Sequence, residues 1–408
     1  MLLNIIPAVT LSAVVLAGCS PAQTDQSSLH LPIGDPARKD KQVALELDGI
    51  TDTATAEVIA PEVLAERLAD AGLVFVGETH TNLDFHNVQL RVIRALQEAG
   101  REVMVGLEMF PYTQQPLLDR WSNGEFTESE FVEQAEWYKY WGYHWNYYRD
   151  IFNFARENGI RMYGVNTPRE VVTAVRKKGF KDLTEEEAAN FPHPVKPATD
   201  EQRRMYKSFF DPDDALHMTD EAVEGMLRAQ TVWDATMGWN ALQALLDHGG
   251  DNAVMVVLIG SGHVTYGLGA ERQTAPYYDG RIASVIPVEI RDDEGDAIEK
   301  VQASYANFIW GLPKQEAEAY PSFGVSLMGA IGDEPTKIIQ VSEDSIAERA
   351  GIVVGDVLKS INGQEVDSGT TLKKIVSNWR WGDVVRVGIE HEGEAREISV
   401  PVRRLDDD

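Results

Sequence analysis

Four times in this chain a short apolar run ends on a ligating or titratable side chain, and no other feature restricts the fold as tightly. Leu73-Val74-Phe75-Val76-Gly77 runs into Glu78-Thr79-His80, Val103 to Leu107 into Glu108, Arg161 to Val165 into Asn166, and Val254 to Ile259 into Gly260-Ser261-Gly262-His263. Runs this short, rich in β-branched and aromatic residues and bounded by turn chemistry, read as core strands. Helical patterns separate them. Asn82 or Asp84 can cap a helix with Val88, Val92, Ile93 and Leu96 on one face and Gly100 at its end, and Pro168 suits the first turn of a helix from Arg169 to Lys178 that stops at Gly179. Strand and helix in alternation predict an α/β domain around a parallel sheet, with inserted helices. Ligands of such sheets collect beyond the carboxyl ends of the strands, so Glu78, His80, Glu108, Asn166 and His263 are expected on one rim.

Each of these residues also has a purely structural reading. Glu78 can cap the next helix, His80 can be an interior hydrogen-bonded histidine, and His86 can be either solvated or turned toward the same crevice. A long helix from Thr219 to His248 carries Met226, Gln230, Trp233, Met237, Ala241 and Leu245 on one stripe, with Asp234 one turn after Gln230. Polar groups on or beside a core-facing stripe need partners, so Gln230 and Asp234 either satisfy backbone groups or orient the rim. From Trp137 to Tyr148 the chain is dense in Trp and Tyr, with His144 among them. This stretch is either an aromatic cluster under a loop or a face for a flat apolar ligand, to which a Tyr or His can add a metal bond. Lys181 to Asp214 reads as an insertion over the sheet, with His193 on a loop between two prolines. Two histidines with carboxylates suit a divalent metal with an open position, or acid and base catalysis without one.

Composition removes some classes of function. A formal net charge of −28 over 408 residues provides no basic face for nucleic acid. The apolar stretch within Met1 to Ala17 is too short for a comfortable membrane span and is followed by small residues, as in a secretory signal. Its n-region carries only the terminal amine. Leu16-Ala17-Gly18-Cys19 resembles the bacterial lipobox, and Cys19 is the only cysteine, so no internal disulfide is available. The resemblance implies a signal peptide over 1–19, acylation of Cys19, and a lipoprotein held at the outer membrane, facing the periplasm or the cell surface, that meets the membrane through its lipid alone. Residues 20–45, without periodicity, are expected to be a tether.

Beyond a linker expected around Gly311 to Tyr320 the wording changes. Phe323-Gly324-Val325, Ala347 to Gly351, Val354 to Gly363 and a helix from Thr371 to Asn378 together resemble a PDZ domain, expected over 320–404. The resemblance implies a small β-rich module that adds an extended peptide or protein C-terminus to its sheet edge, with the amides of Phe323, Gly324 and Val325 catching the carboxylate.

Gly77-Glu78-Thr79-His80, Tyr147-Tyr148, Asn166-Thr167-Pro168-Arg169, the Gln230 to Asp234 segment and Gly260 to His263 resemble the ChaN-like haem-binding lipoproteins of the wider Tiki superfamily. The resemblance implies, for a domain over 46–310, haem as cofactor in iron or haem uptake, a tyrosine as iron ligand, a histidine contacting the propionates, and a homodimer. The haem-binding candidates are His80, His86, Tyr147, Tyr148, Arg169 and His263, supported by Glu108, Asn166, Gln230 and Asp234. Relatives in the superfamily are similar to metal-dependent proteases and to esterases. For a hydrolase of that kind, Glu78, His80 and His263 are the catalytic candidates.

Overall fold

The computed structural model describes residues 26–185, 194–210, 219–292, 295–328 and 336–405. Cys19 and His193 lie outside them. The first domain contains β1 (Gln42–Ala44), β2 (Ile50–Asp52), β3 (Glu57–Ile59), β4 (Ala71–Glu78), β5 (Glu102–Pro111), β6 (Arg161–Asn166), β7 (Ala253–Gly260), β8 (Arg281–Glu289), β9 (Lys300–Gln302) and β10 (Phe308–Leu312). Eight of these form one sheet in the order β3-β2-β10-β8-β4-β7-β5-β6. From β10 to β6 every pairing is parallel, and β2 and β3 add an antiparallel edge. The four expected strands are present, and β8 and β10 extend the parallel run.

Every residue of β4 and β7 is buried, which requires cover on both faces of the sheet. Strand alternation divides the side chains between two cores. Val74, Val76, Val256 and Leu258 pack with Val88, Val92, Ile93 and Leu96 of the helix Leu83–Glu98 and with the Trp137–Tyr148 aromatics. Leu73, Phe75, Val257 and Ile259 pack with Met237, Ala241, Leu242 and Leu245 of the helix Asp220–His248. The strand tips are thus served from both sides, by the aromatic segment on one face and the long helix on the other.

Two boundaries differ from the sequence reading. The expected tether is folded over its described part: Leu29 and Ile33 are buried, and β1 pairs with β9. Leu29, Leu31 and Ile33, and then Val43 and Leu45, alternate over runs too short to stand out in the sequence, yet they join the core around Phe75 and Ile309. The expected linker begins too early, because Gly311 and Leu312 complete β10, where a Cβ on Gly311 would collide with the Glu46 carbonyl.

The second domain contains β11 (Val325–Met328), β12 (Lys337–Val341), β13 (Val357–Ile361), β14 (Gln364–Glu365), β15 (Val384–His391) and β16 (Glu394–Pro401), all paired antiparallel, and the helix Gly369–Val376. It has its own core, including Phe323, Ile338, Leu358, Leu372 and Val387, and β11 and β16 are its edge strands.

Candidate functional site

The rim gathers two half-sites around Gly260, one from each face of the sheet. On one side, Glu78 ends β4 and is buried, with Oε1 2.5 Å from His80 Nδ1 and Oε2 3.0 Å from His86 Nδ1. The Tyr148 hydroxyl donates to Glu78 Oε1 at 2.9 Å. His86 sits one turn into the helix that Asn82 caps, and its Nε2 lies 3.2 Å from the His80 carbonyl. Burial alone raises the Glu78 carboxyl, but His86 and His80 outweigh it and hold the group well below the usual carboxylate range. Burial and then the Glu78 charge push the Tyr148 hydroxyl far up, so it stays protonated and donates.

On the other side, His263 Nδ1 is 2.7 Å from Asp234 Oδ1, and the Gln230 amide lies against the same pair. Gln202, in the helix Asp200–Lys207, donates to Asp234 Oδ2 at 3.0 Å. Burial raises the Asp234 carboxyl despite the His263 partner. Glu108 joins the halves: its Oε2 accepts from the Gly260 N–H at 2.5 Å and its Oε1 lies 3.5 Å from His263 Nε2. Asn166 donates to the Glu108 carbonyl at 2.8 Å. A Cβ on Gly260 would touch His80 Cε1, Glu108 Oε2 and His263 Cδ2 at 3.4 to 3.6 Å, so all three line one small space.

With Nδ1 on Asp234, His263 directs Nε2 at Glu108, which sets an imidazole and a carboxylate side by side at the same small space. Among the described residues no group of three or more His, Cys, Asp or Glu is arranged to hold a metal ion. The imidazoles and carboxylates pair with each other instead of converging on a point, so the divalent metal weighed from sequence finds no support in the donor geometry.

The aromatic stretch supplies the mouth. Half-buried Trp141 and Tyr143 pack on the His80 ring at 4.8 and 4.6 Å between centroids, and half-buried Trp233 meets His263 edge-on at 6.1 Å. Tyr147 and Tyr148 are interior, the first beneath Tyr320 and the second bonded to Glu78. Arg169 is exposed at the start of its helix, with its guanidinium on the Tyr140 carbonyl. From sequence the aromatic density was evident, but not which ring faces outward, because the segment breaks into the short helix Trp137–Tyr140 and a turn with no single period. Gln202 was missed as well: it comes from the apparently unstructured insertion, and the only local signal is Thr199, which caps its helix.

Residues 64–273, just over half of the chain, match the family model described as haem-binding uptake, Tiki superfamily, ChaN. The chain belongs to that family. Residues 321–402 of this ChaN-family chain match the PDZ domain model. Among curated proteins it is 26% identical over 262 residues to Protein RETICULATA-RELATED 5, chloroplastic, of Arabidopsis thaliana, covering 60% of this chain and 34% of that protein. It is also 26% identical over 131 residues to a probable periplasmic serine endoprotease DegP-like of Pseudomonas savastanoi, covering 31% of this chain and 26% of that one. The chain therefore spans about a third or less of these relatives. A solved structure showing cofacial heme binding to ChaN of Campylobacter jejuni is similar at 20% identity and a TM-score of 0.49, over 64% of this chain and 95% of that one. The ChaN-family rim and the PDZ module thus occupy one chain.

In the PDZ module, Phe323 is a core residue against Trp379, with ring centroids 5.3 Å apart, and Gly324 adopts φ +77°, where L residues are strained. Their carbonyls accept from Ala347 and Ser342. The turn that runs into the edge strand from Val325 is therefore fixed from behind by its carbonyls.

Proposed function

We propose that the first domain binds haem at the mouth of the rim, and that the PDZ module adds a peptide or protein C-terminus to β11 and so brings a partner to it. The observation that carries this is the ring of half-buried aromatics, Trp141 and Tyr143 on His80 and Trp233 beside His263, at the strand tips of a ChaN-family domain. Haem needs flat apolar cover, an anionic or imidazole ligand, and donors for its propionates. The buried floor does not fit, since Tyr148 is committed to Glu78 and Tyr147 is covered. The mouth does: Tyr143 would supply the phenol, Trp141 and Trp233 the faces, and Arg169 a propionate contact. Bound iron would supply redox and Lewis-acid chemistry, while the chain's own groups bind, orient and shield. In this reading the protein is exported, acylated at Cys19, held at the outer membrane and engaged in iron or haem handling, with a homodimer closing over the ligand.

The test is a titration of the soluble form with haem. A saturable shift of the main absorption band is expected, weakened in Tyr143→Phe and unchanged in Tyr147→Phe, with light scattering reporting whether mass doubles on loading. Absence of any saturable shift discards the reading.

One observation favours a second function: the Asp234–His263–Glu108 and Glu78–His80 arrangements are those of metal-free acid and base chemistry. A hydrolase of this kind would turn over ester or peptide substrates regardless of chelators and lose activity in His263→Ala. No turnover with either substrate class removes it.

A further inference from the structure

The PDZ module touches the first domain at the aromatic mouth, and the contact has an unusual charge. The helix Gly369–Val376 packs on the helix Trp137–Tyr140. Its Lys373 lays the ammonium against Gly142, the residue between Trp141 and Tyr143, where a Cβ would collide with Nζ. Arg169 of the first domain sits two residues away, on the Tyr140 carbonyl. Both residues are exposed overall, but their charged ends lie against backbone: that local burial and then Arg169 lower the Lys373 pKa, and local burial lowers that of Arg169. Glu170 attracts Arg169 only at a distance, and neither cation forms an ion pair with a carboxylate among the described residues.

In a chain with an acidic excess of 28 charges, a carboxylate to separate these two cations would be easy to supply. Neighbouring cations with solvent access repel only weakly, and an anion that enters between them is attracted by both. Each also stands on the backbone of the segment whose rings form the mouth, so an anion held there would lie at the edge of a ligand seated on Trp141 and Tyr143.

We infer that Arg169 and Lys373 form a two-domain anion site that takes a carboxylate of the ligand, so that the PDZ helix completes the binding site of the first domain. This rests on the haem reading above, in which the carboxylates are the propionates. Lys373 is a binding residue for the ligand and is distinct from the peptide-recognising edge at β11.

The experiment compares haem with its dimethyl ester, which keeps the ring and the iron and lacks both carboxylates. Full-length protein is expected to prefer haem by on the order of tenfold. Lys373→Met and Arg169→Met should each remove most of that preference while leaving affinity for the ester unchanged, and Lys373→Arg should restore it. Circular dichroism of each variant checks the fold, and an intact Lys373→Met fold with full preference for haem overturns the inference. Equal binding of haem and ester by the unmodified protein overturns it too, while leaving the haem reading in place. Binding of neither porphyrin overturns both.

Discussion

His144 lies flat on Tyr320, with ring centroids 4.1 Å apart and planes 3° from parallel, and its Nε2 sits 2.9 Å from the Ser377 carbonyl of the PDZ module. One imidazole therefore ties together the aromatic segment, the interdomain connection and the far end of the PDZ helix. Trp381 adds a second tie through Nε1, which donates to the Glu318 and Ala319 carbonyls at 3.1 and 3.2 Å. The two cores are separate, but the domains are docked, and they are docked at the mouth of the candidate site.

The docking is expected to weaken in acid. His144 Nδ1 accepts from the Asn146 N–H at 3.2 Å, which only the unprotonated nitrogen can do. Burial lowers its pKa from 6.5, although the Ser377 carbonyl opposes this. With the folded value below the unfolded one, the contribution is present above about pH 6.5 and is lost as pH falls through the folded value. Corrected for the intrinsic exchange rate at each pH, the protection of the amides of residues 137–140 and 369–376 should fall between pH 8 and pH 5. His144→Phe keeps a stacking ring but cannot titrate, and the same acid response in that variant would rule His144 out as its source.

Removing the PDZ module should cost the first domain stability. Truncation before Phe323 keeps the His144–Tyr320 stack but removes the Ser377 carbonyl and the Trp381 N–H that hold it in place. Such a stack is worth about 1 kcal/mol beyond area burial, and it loosens when its two ties are gone. The melting temperature of the truncated domain should therefore fall by a few degrees. An unchanged melting temperature would mean that the contact is passive.

Glu78→Gln tests the buried half-site. The side chain is fully buried and opposes two histidines and a tyrosine, so the neutral amide leaves partners unsatisfied at a cost of roughly 3 kcal/mol. Because the folded carboxyl lies below its ordinary value of 4.5, its stabilisation is present above pH 4.5 and is lost as pH falls further. Denaturant unfolding from pH 7 to pH 3 should show the variant less stable at pH 7 and less sensitive to acid. A parallel pair of curves would assign the acid sensitivity to other groups.

The rim was legible because it follows from strand ends, and strand ends follow from local chemistry. Glu78, His80, Glu108 and His263 each terminate or follow an apolar run, and the parallel sheet brings them together whatever the intervening loops do. Partners chosen by long-range packing were not legible. Gln202 reaches Asp234 across 32 residues, and Lys373 reaches Gly142 from another domain, each through contacts that leave no period in the sequence. The tether failed for a related reason, since Leu29 and Ile33 join a distant core from an alternating run too short to stand out.

Gly269→Ala separates the chemistry of the rim from binding at its mouth. Gly269 has φ −94°, outside the left-handed region that favours glycine. The obstacle is contact: a Cβ there would overlap the His263 carbonyl and approach Asp234 Oδ2 to 3.1 Å. Backbone cannot swing aside as a flexible side chain would, so the turn carrying His263 must shift away from the long helix, at roughly 1–3 kcal/mol. The 2.7 Å His263–Asp234 bond is the first casualty, while Trp141 and Tyr143 stand on the opposite half-site, beside His80. Gly369→Ala, with nothing within 4 Å of its Cβ, serves as the neutral control. Any hydrolysis by the Asp234–His263 arrangement should fall at least tenfold in Gly269→Ala, and haem affinity, which draws on the His263 side only through Trp233, should stay within a few fold of the parent. If haem affinity collapses in Gly269→Ala while Gly369→Ala is unaffected, the ligand sits on the His263 side of Gly260, and the mouth at Trp141 and Tyr143 is not its seat.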